Sequence, residues 1–181
     1  MKKFARIIGT GSYLPPKIVT NFDLEKTLDT TDDWIKARTG IKERRIVTSE
    51  STCDLALEAS INALSMSELK PQDFDLIILS TTTPDKIFPA TATMLQHRLG
   101  ASCPAFDMQA VCAGFVFALN TAQQYIENGS AKNILVVGSE TMSKIVDWND
   151  RSTAILFADG AGAVVLKADK DKGIKYSSYW K

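Results

Sequence analysis

Three cysteines and one histidine are the residues in this chain best suited to covalent chemistry, and their neighbours decide what they can do. Cys112 lies in the string Ala110-Val111-Cys112-Ala113-Gly114-Phe115, between a strand ending near Met108 and a long helix starting near Ala113. A sulfur at a helix N-terminus faces unpaired amides and the positive end of the dipole, which favour thiolate, the nucleophilic form, over thiol. Ala113 and Gly114 leave room above it for an attacked acyl group. Pattern alone also admits a packing role, because free cysteine is among the most buried residue types. Cys103, beside Pro104, and Cys53, in the first turn of another helix, have weaker claims. His97 sits mid-helix between Gln96 and Arg98 and reads as a surface or packing residue, so a base for Cys112 would come from elsewhere. Arg38, Lys42, Arg44 and Arg45, with Glu43 among them and Trp34 close by, read on pattern as a solvated strand face.

Other chemistries lack their residues. Gly9-Thr10-Gly11 has Leu14 where a dinucleotide fingerprint needs its third glycine, and Pro15-Pro16 delay the helix that should follow. Neither a phosphate-binding Walker sequence, HExxH nor GxSxG occurs. Asp159-Gly160-Ala161-Gly162 reads as a tight turn or a close backbone approach between apolar strands.

The elements that must hold these residues are legible from residue 75 onward. Asp75 to Ser80 is a short apolar run of the kind covered on both faces. Pro89 to Leu99 reads as a helix stopped by Gly100, Ala105 to Met108 as a strand, Ala113 to Asn128 as a helix closed by Gly129, and Asn133 to Gly138 as a strand. That alternation predicts an α/β layered fold with a mostly parallel mixed sheet covered by helices. Before it, Ala5 to Ile8 reads as a strand entering a Gly9-Thr10-Gly11 turn, Thr20 to Asp23 as a capping box, the stretch from about Thr31 as a short helix with Gly40 beyond its end, and Ser51 to Met66 as a longer helix capped by Thr52 or Ser51. Gly162 to Leu166 reads as a strand. Ile174 to Trp180 reads as the start of a further apolar strand, an edge expected to pair with another chain.

Composition narrows the setting. The chain has 181 residues, 45% apolar and 23% charged, enough to bury a core without disulfide or metal. Its 21 basic and 21 acidic residues cancel, so no overall field attracts nucleic acid or an anionic membrane. The apolar runs fall far short of the ~20 residues of a bilayer span. Arg6 and the glycines interrupt any signal peptide that Lys2 and Lys3 could begin, so a cytoplasmic setting with free thiols is expected. Asn128-Gly129-Ser130 then reads as a helix end rather than a glycosylation site.

Several strings together resemble the β-ketoacyl-acyl-carrier-protein synthase III family, condensing enzymes of the thiolase superfamily. They are Gly-Thr-Gly-Ser-Tyr-Leu-Pro (9–15), Asp-Trp-Ile-Lys-Ala-Arg-Thr-Gly-Ile (33–41), Phe-Pro-Ala (88–90), Cys-Pro-Ala-Phe-Asp (103–107), Cys-Ala-Gly-Phe (112–115) and Asp-Gly-Ala-Gly-Ala (159–163). The resemblance implies a single N-terminal thiolase-like domain over 1–181. It implies acyl transfer from acyl-CoA, acetyl-CoA in the first instance, to Cys112, followed by decarboxylative condensation with malonyl-acyl carrier protein in a homodimer, with no permanently bound cofactor and no metal. It places Trp34 under the CoA adenine, Arg151 on the opposite face, and Arg38 and Thr30 as polar contacts to the nucleotide end. Thr82, Met142 and Phe157 match acyl-pocket positions, and Phe88 a residue reaching into the partner subunit's pocket. Met142 stands where leucine is common and Ala158 where glycine is common. The family's catalytic histidine and asparagine belong to a C-terminal half that this sequence does not include, and His97 matches neither, so condensation by these residues alone is not expected. A non-catalytic CoA-binding or acyl-binding role and a secondary-metabolism relative with another acyl acceptor are the alternatives.

Overall fold

The structure is a computed structural model, and it describes residues 3–175. Five strands form one sheet: β1 (Phe4–Tyr13), β4 (Leu76–Ser80), β5 (Ala105–Met108), β6 (Asn133–Thr141) and β7 (Asp159–Asp169), in the order β1-β7-β6-β4-β5. A small hairpin pairs β2 (Lys17–Thr20) with β3 (Glu43–Ile46). Six helices complete the described residues: α1 (Asn21–Glu25), α2 (Asp32–Thr39), α3 (Thr52–Ser67), α4 (Thr91–Leu99), α5 (Gly114–Glu127) and α6 (Arg151–Ala154).

The apolar run of β4 divides its side chains between two cores. Ile77 and Leu79 pack with α3 and α4, while Leu76 and Ile78 pack with α5. Strand β6 does the same, with Leu135 and Val137 on the first side and Ile134 and Val136 on the second. A strand covered on both faces has no polar side to show, which is why neither run alternates. The result is the layered α/β fold that the strand and helix alternation implies.

The sheet is mixed: β5, β4 and β6 pair in parallel, whereas β6–β7 and β7–β1 are antiparallel. The chain leaves β6 at Thr141 and re-enters the sheet opposite it at Asp159, so no crossover carries it to the other end. The parallel half is the one built by strand–helix–strand units.

The glycine readings need correction. Gly9 and Gly11 lie within β1 rather than in a turn, and the strand continues to Tyr13. A Cβ on Gly11 would fall 2.2 Å from the Ala59 carbonyl oxygen, and one on Gly9 2.3 Å from that of Ala63, so the glycines let α3 lie directly on β1. Gly160 and Gly162 likewise belong to β7, whose start at Asp159 precedes the Gly162 expected from the apolar run. Helix α4 starts at Thr91, two residues after Pro89, with Asp107 accepting from the Thr91 and Ala92 amides. Ile174 is not in a strand, although its amide donates to the Ala5 carbonyl, and Tyr176, Tyr179 and Trp180 lie outside the described residues.

The solvated-face reading fails at Arg44, which is buried. Its guanidinium donates twice to the Ile155 carbonyl, at 2.7 and 3.1 Å, and once to Asn21 Oδ1 at 2.9 Å. Asn21 in turn donates to Asp32 and to the Ile41 carbonyl. This spine ties α1, α2, β3 and the end of α6 around a small core of Leu24, Leu28, Ile35, Ala154 and Ile155. Burial lowers the Arg44 pKa from its ordinary value.

Gly11→Ala forces a methyl group into the α3 backbone and is expected to destabilise the fold by about 3 kcal/mol, read from the urea midpoint. At Gly40 (φ 72°), where nothing lies within 4 Å, alanine is expected to cost about 1 kcal/mol, from the left-handed backbone alone.

Candidate active site

Cys112 is exposed, at the mouth of a cleft of about 310 Å³. A single 3-10 turn, Val111–Ala113, delivers it from the end of β5 to the start of α5. No side chain caps α5, so the positive end of its dipole is left to the residues in front of it. Val111 adopts φ 47°, a conformation that costs a β-branched residue energy and turns the chain sharply just before the sulfur. Gly114 completes the device. A Cβ there would fall against Ser80 Oγ, so any other residue would push that hydroxyl aside where α5 begins against the end of β4.

The cleft floor comes from the sheet. Ser80 of β4 and Gly138, Ser139 and Glu140 of β6 contribute carboxyl ends of parallel strands, the usual place for a ligand in such sheets. Gly160 to Gly162 of β7 meet them from the antiparallel side. The wall behind them is fixed by Asp159, which is buried and accepts from the Val47 amide at 2.7 Å and the Ser143 amide at 2.8 Å.

The other cysteines differ in setting. Cys53 is buried and Cys103 partly buried, and desolvation raises both pKa values, for Cys53 against a smaller opposing effect of Arg98. His97 is exposed on α4, as a surface residue would be.

A second group of expected residues converges away from the cysteine. The Arg38 guanidinium carbon lies 4.1 Å from the Trp34 ring centroid and that of Arg151 4.7 Å. The small core beneath them packs α2 against α6 and so brings Arg151 to Trp34. Arg151 also donates to the Asp29 carbonyl, at 2.8 Å, beside Thr30. Cations over an aromatic ring hold a planar platform in place and leave donors free for phosphate.

The acyl-pocket candidates are spread over three segments. Thr82 follows β4, Met142 opens a 3-10 turn after β6, and Phe157 lies between α6 and β7; all three are half-buried. Phe88 is 82% exposed next to Ile87 at 99%, on a loop that presents two large apolar side chains to solvent. Thr30 Oγ1 and Thr82 Oγ1 are buried without a hydrogen-bond partner. An orphaned buried hydroxyl costs on the order of 1–3 kcal/mol and calls for an explanation, which a ligand would supply.

The sequence reading assigned no part in the site to Ser80, Glu140 or Asp159. The signal available for Glu140 was its place at the carboxyl end of an apolar strand. A larger cleft of about 440 Å³, between the β2–β3 hairpin and Trp148, contains none of the expected residues. Among the described residues, no His, Cys, Asp or Glu cluster could hold a metal, and no helix is long and apolar enough to cross a membrane.

Comparison with known proteins bears on the fold. The layered α/β sheet is thiolase-like, and solved structures share it. The 3-oxoacyl-[acyl-carrier-protein] synthase III of Aquifex aeolicus VF5 superposes with a TM-score of 0.92 at 53% identity, over 93% of this chain and 55% of that one. The priming β-ketosynthase of the R1128 polyketide pathway superposes at 0.90 with 38% identity, over 93% and 51%. The family model described as 3-oxoacyl-[acyl-carrier-protein (ACP)] synthase III matches residues 106–180. The β-ketoacyl-[acyl-carrier-protein] synthase III of Vesicomyosocius okutanii is 67% identical over 177 residues, covering 98% of this chain and 56% of that protein. The chain belongs to the β-ketoacyl-acyl-carrier-protein synthase III family, fits its N-terminal portion, and spans about half the length of these relatives.

With iodoacetamide at neutral pH, Cys112 is expected to be alkylated first, and Cys103 and Cys53 much later, as peptide mass mapping would show. Earlier labelling of Cys53 in folded protein would remove Cys112 from its role.

Proposed function

We propose that this chain carries the acyl-accepting site of a condensing enzyme that starts fatty acid synthesis. The observation that carries the reading is the exposed Cys112 at the uncapped head of α5, facing a cleft wide enough for a short acyl group. Its thiolate attacks the thioester carbonyl of an acyl-CoA, acetyl-CoA in the first instance. The acyl–sulfur bond to CoA breaks, CoA leaves as thiolate and takes a proton from solvent, and the acyl group remains on Cys112 as a new thioester.

Trp34 offers its face to the adenine, with Arg151 moving off the ring to cover the base. Arg38 and Thr30 contact the nucleotide end. Thr82, Met142 and Phe157 bound the acyl group. The acylated cysteine then passes its acyl group to the carbanion left when malonyl-acyl carrier protein loses carbon dioxide. That step needs donors for the enolate charge, and the reading assigns none of them to His97. The exposed Phe88 fits a contact with a second subunit of a homodimer. No resident cofactor is invoked, and the setting proposed is the cytoplasm. Likeness to the R1128 priming enzyme supports a second reading, in which the same acylated cysteine serves a polyketide acceptor.

The test is intact-protein mass spectrometry after incubation with acetyl-CoA. A gain of one acetyl group mapped to Cys112, reversed by hydroxylamine and absent from Cys112→Ser, is the expected result. Tight CoA binding with no thioester would favour a CoA-binding role without turnover.

A further inference from the structure

Glu140 lines the Cys112 cleft, yet its carboxylate is spent on the segment between β4 and Pro84. The Thr82 amide donates to Oε1 at 2.7 Å. The Thr83 amide and hydroxyl donate to Oε2 at 3.1 and 2.6 Å, and the Thr81 hydroxyl lies 3.4 Å from the same oxygen. With its lone pairs so occupied, Glu140 is not a free base for the cysteine.

The geometry of the sheet shows what this bonding does. Strand β4 runs between β5 and β6. The Thr81 amide still follows β5, donating to the Met108 carbonyl at 3.1 Å. From Thr82 onward the chain swings across the end of β4 to Glu140 on β6, passing beyond Ser80, where α5 abuts and Cys112 emerges. Thr83 locks the crossing, because its hydroxyl donates to Glu140 while accepting from the Thr141 amide at 2.8 Å. Thr82 itself is held by its amide, since its own hydroxyl has no partner.

We propose that Glu140 is a positioning residue which, by holding residues 81–83 across the end of β4, limits the length of the acyl group that Cys112 accepts. This rests on the reading of Cys112 as an acyl acceptor and of Thr82, which follows the cleft-lining Ser80, as a boundary of the acyl group. A pocket wall discriminates chain length only as far as it resists displacement, and a carboxylate shared by several donors makes this one stiff. Glutamine at 140 keeps the shape but puts an NH2 group in place of one carboxylate oxygen, so either the Thr82 amide or the Thr83 pair loses its acceptor and the segment is loosened.

The test uses alkyl methanethiosulfonates, with methyl, butyl and hexyl chains, on the 181-residue chain. The Cys112 thiolate attacks the alkylthio sulfur, a disulfide forms, and methanesulfinate leaves with the bonding pair, so no other oxidant is needed. Rates at Cys112 are divided by the iodoacetamide rate of the same variant, which removes changes in general access. The unsubstituted chain is expected to favour methyl over hexyl by about tenfold, and Glu140→Gln to lose most of that preference. Should circular dichroism show Glu140→Gln unfolded, Thr83→Ala, which removes the locking hydroxyl, is expected to erode the ratio by at least about threefold. A ratio within about twofold of the unsubstituted value in the folded variant, or no length preference to begin with, overturns the proposal. A merely structural role would lower the melting temperature and leave the ratio alone. Because the reagents carry no CoA, the result stands whether or not acetyl-CoA acylates the chain.

Discussion

Loops that leave a buried sheet carry amide groups beyond the reach of a neighbouring strand, and each such group must find an acceptor or cost free energy. In this chain four acidic side chains supply the acceptors around one end of the sheet. Asp85 takes the Thr52 and Cys53 amides at the head of α3, and Asp107 takes those of Thr91 and Ala92 at the head of α4. Glu140 takes residues 82 and 83, and Asp159 takes Val47 and Ser143. The cleft beside Cys112 exists because these loops have fixed paths. At the head of α5 the arrangement differs, since no carboxylate caps that helix and the cysteine meets its dipole unopposed.

The adenine-site candidates depend on the converse solution. There a buried cation satisfies a carbonyl: Arg44 holds Ile155 and Asn21, and through them α2 and α6, the helices that carry Trp34 and Arg151. Both ends of the proposed site therefore rest on long-range polar contacts made by residues distant in sequence. Hydrophobic burial builds the layers, and these contacts set where the loops above them run.

What the sequence made legible follows from the range of the interactions involved. Caps are local, so the Thr20 box and the stops at Gly40 and Gly100 could be read directly, and the cap of α3 was narrowed to Ser51 or Thr52. The two-sided burial of β4 was equally plain. Gly9 and Gly11 misled because a glycine needed for helix packing looks, in one dimension, like a glycine needed for a turn. Arg44 looked solvated because the Ile155 carbonyl that it serves is far along the chain. Glu140 was invisible for the same reason, although its place at a strand end was in view. Trp34 and Arg151 were named through likeness to a family, whereas Cys112 stood out already from its place before a helix, and the fold supplies a physical account of how the first two meet.

The central claim is that one chain holds both ends of a single site, with the nucleotide end at Trp34 and the acyl end at Cys112. The most direct test is the rate of Cys112 alkylation by iodoacetamide as desulfo-CoA, which lacks a thiol and consumes no reagent, is added. Saturable protection is expected, with the half-point raised in Trp34→Ala by an amount equivalent to about 1–3 kcal/mol of lost stacking. An alkylation rate that stays constant while desulfo-CoA quenches tryptophan fluorescence would show that the two ends do not belong to one site.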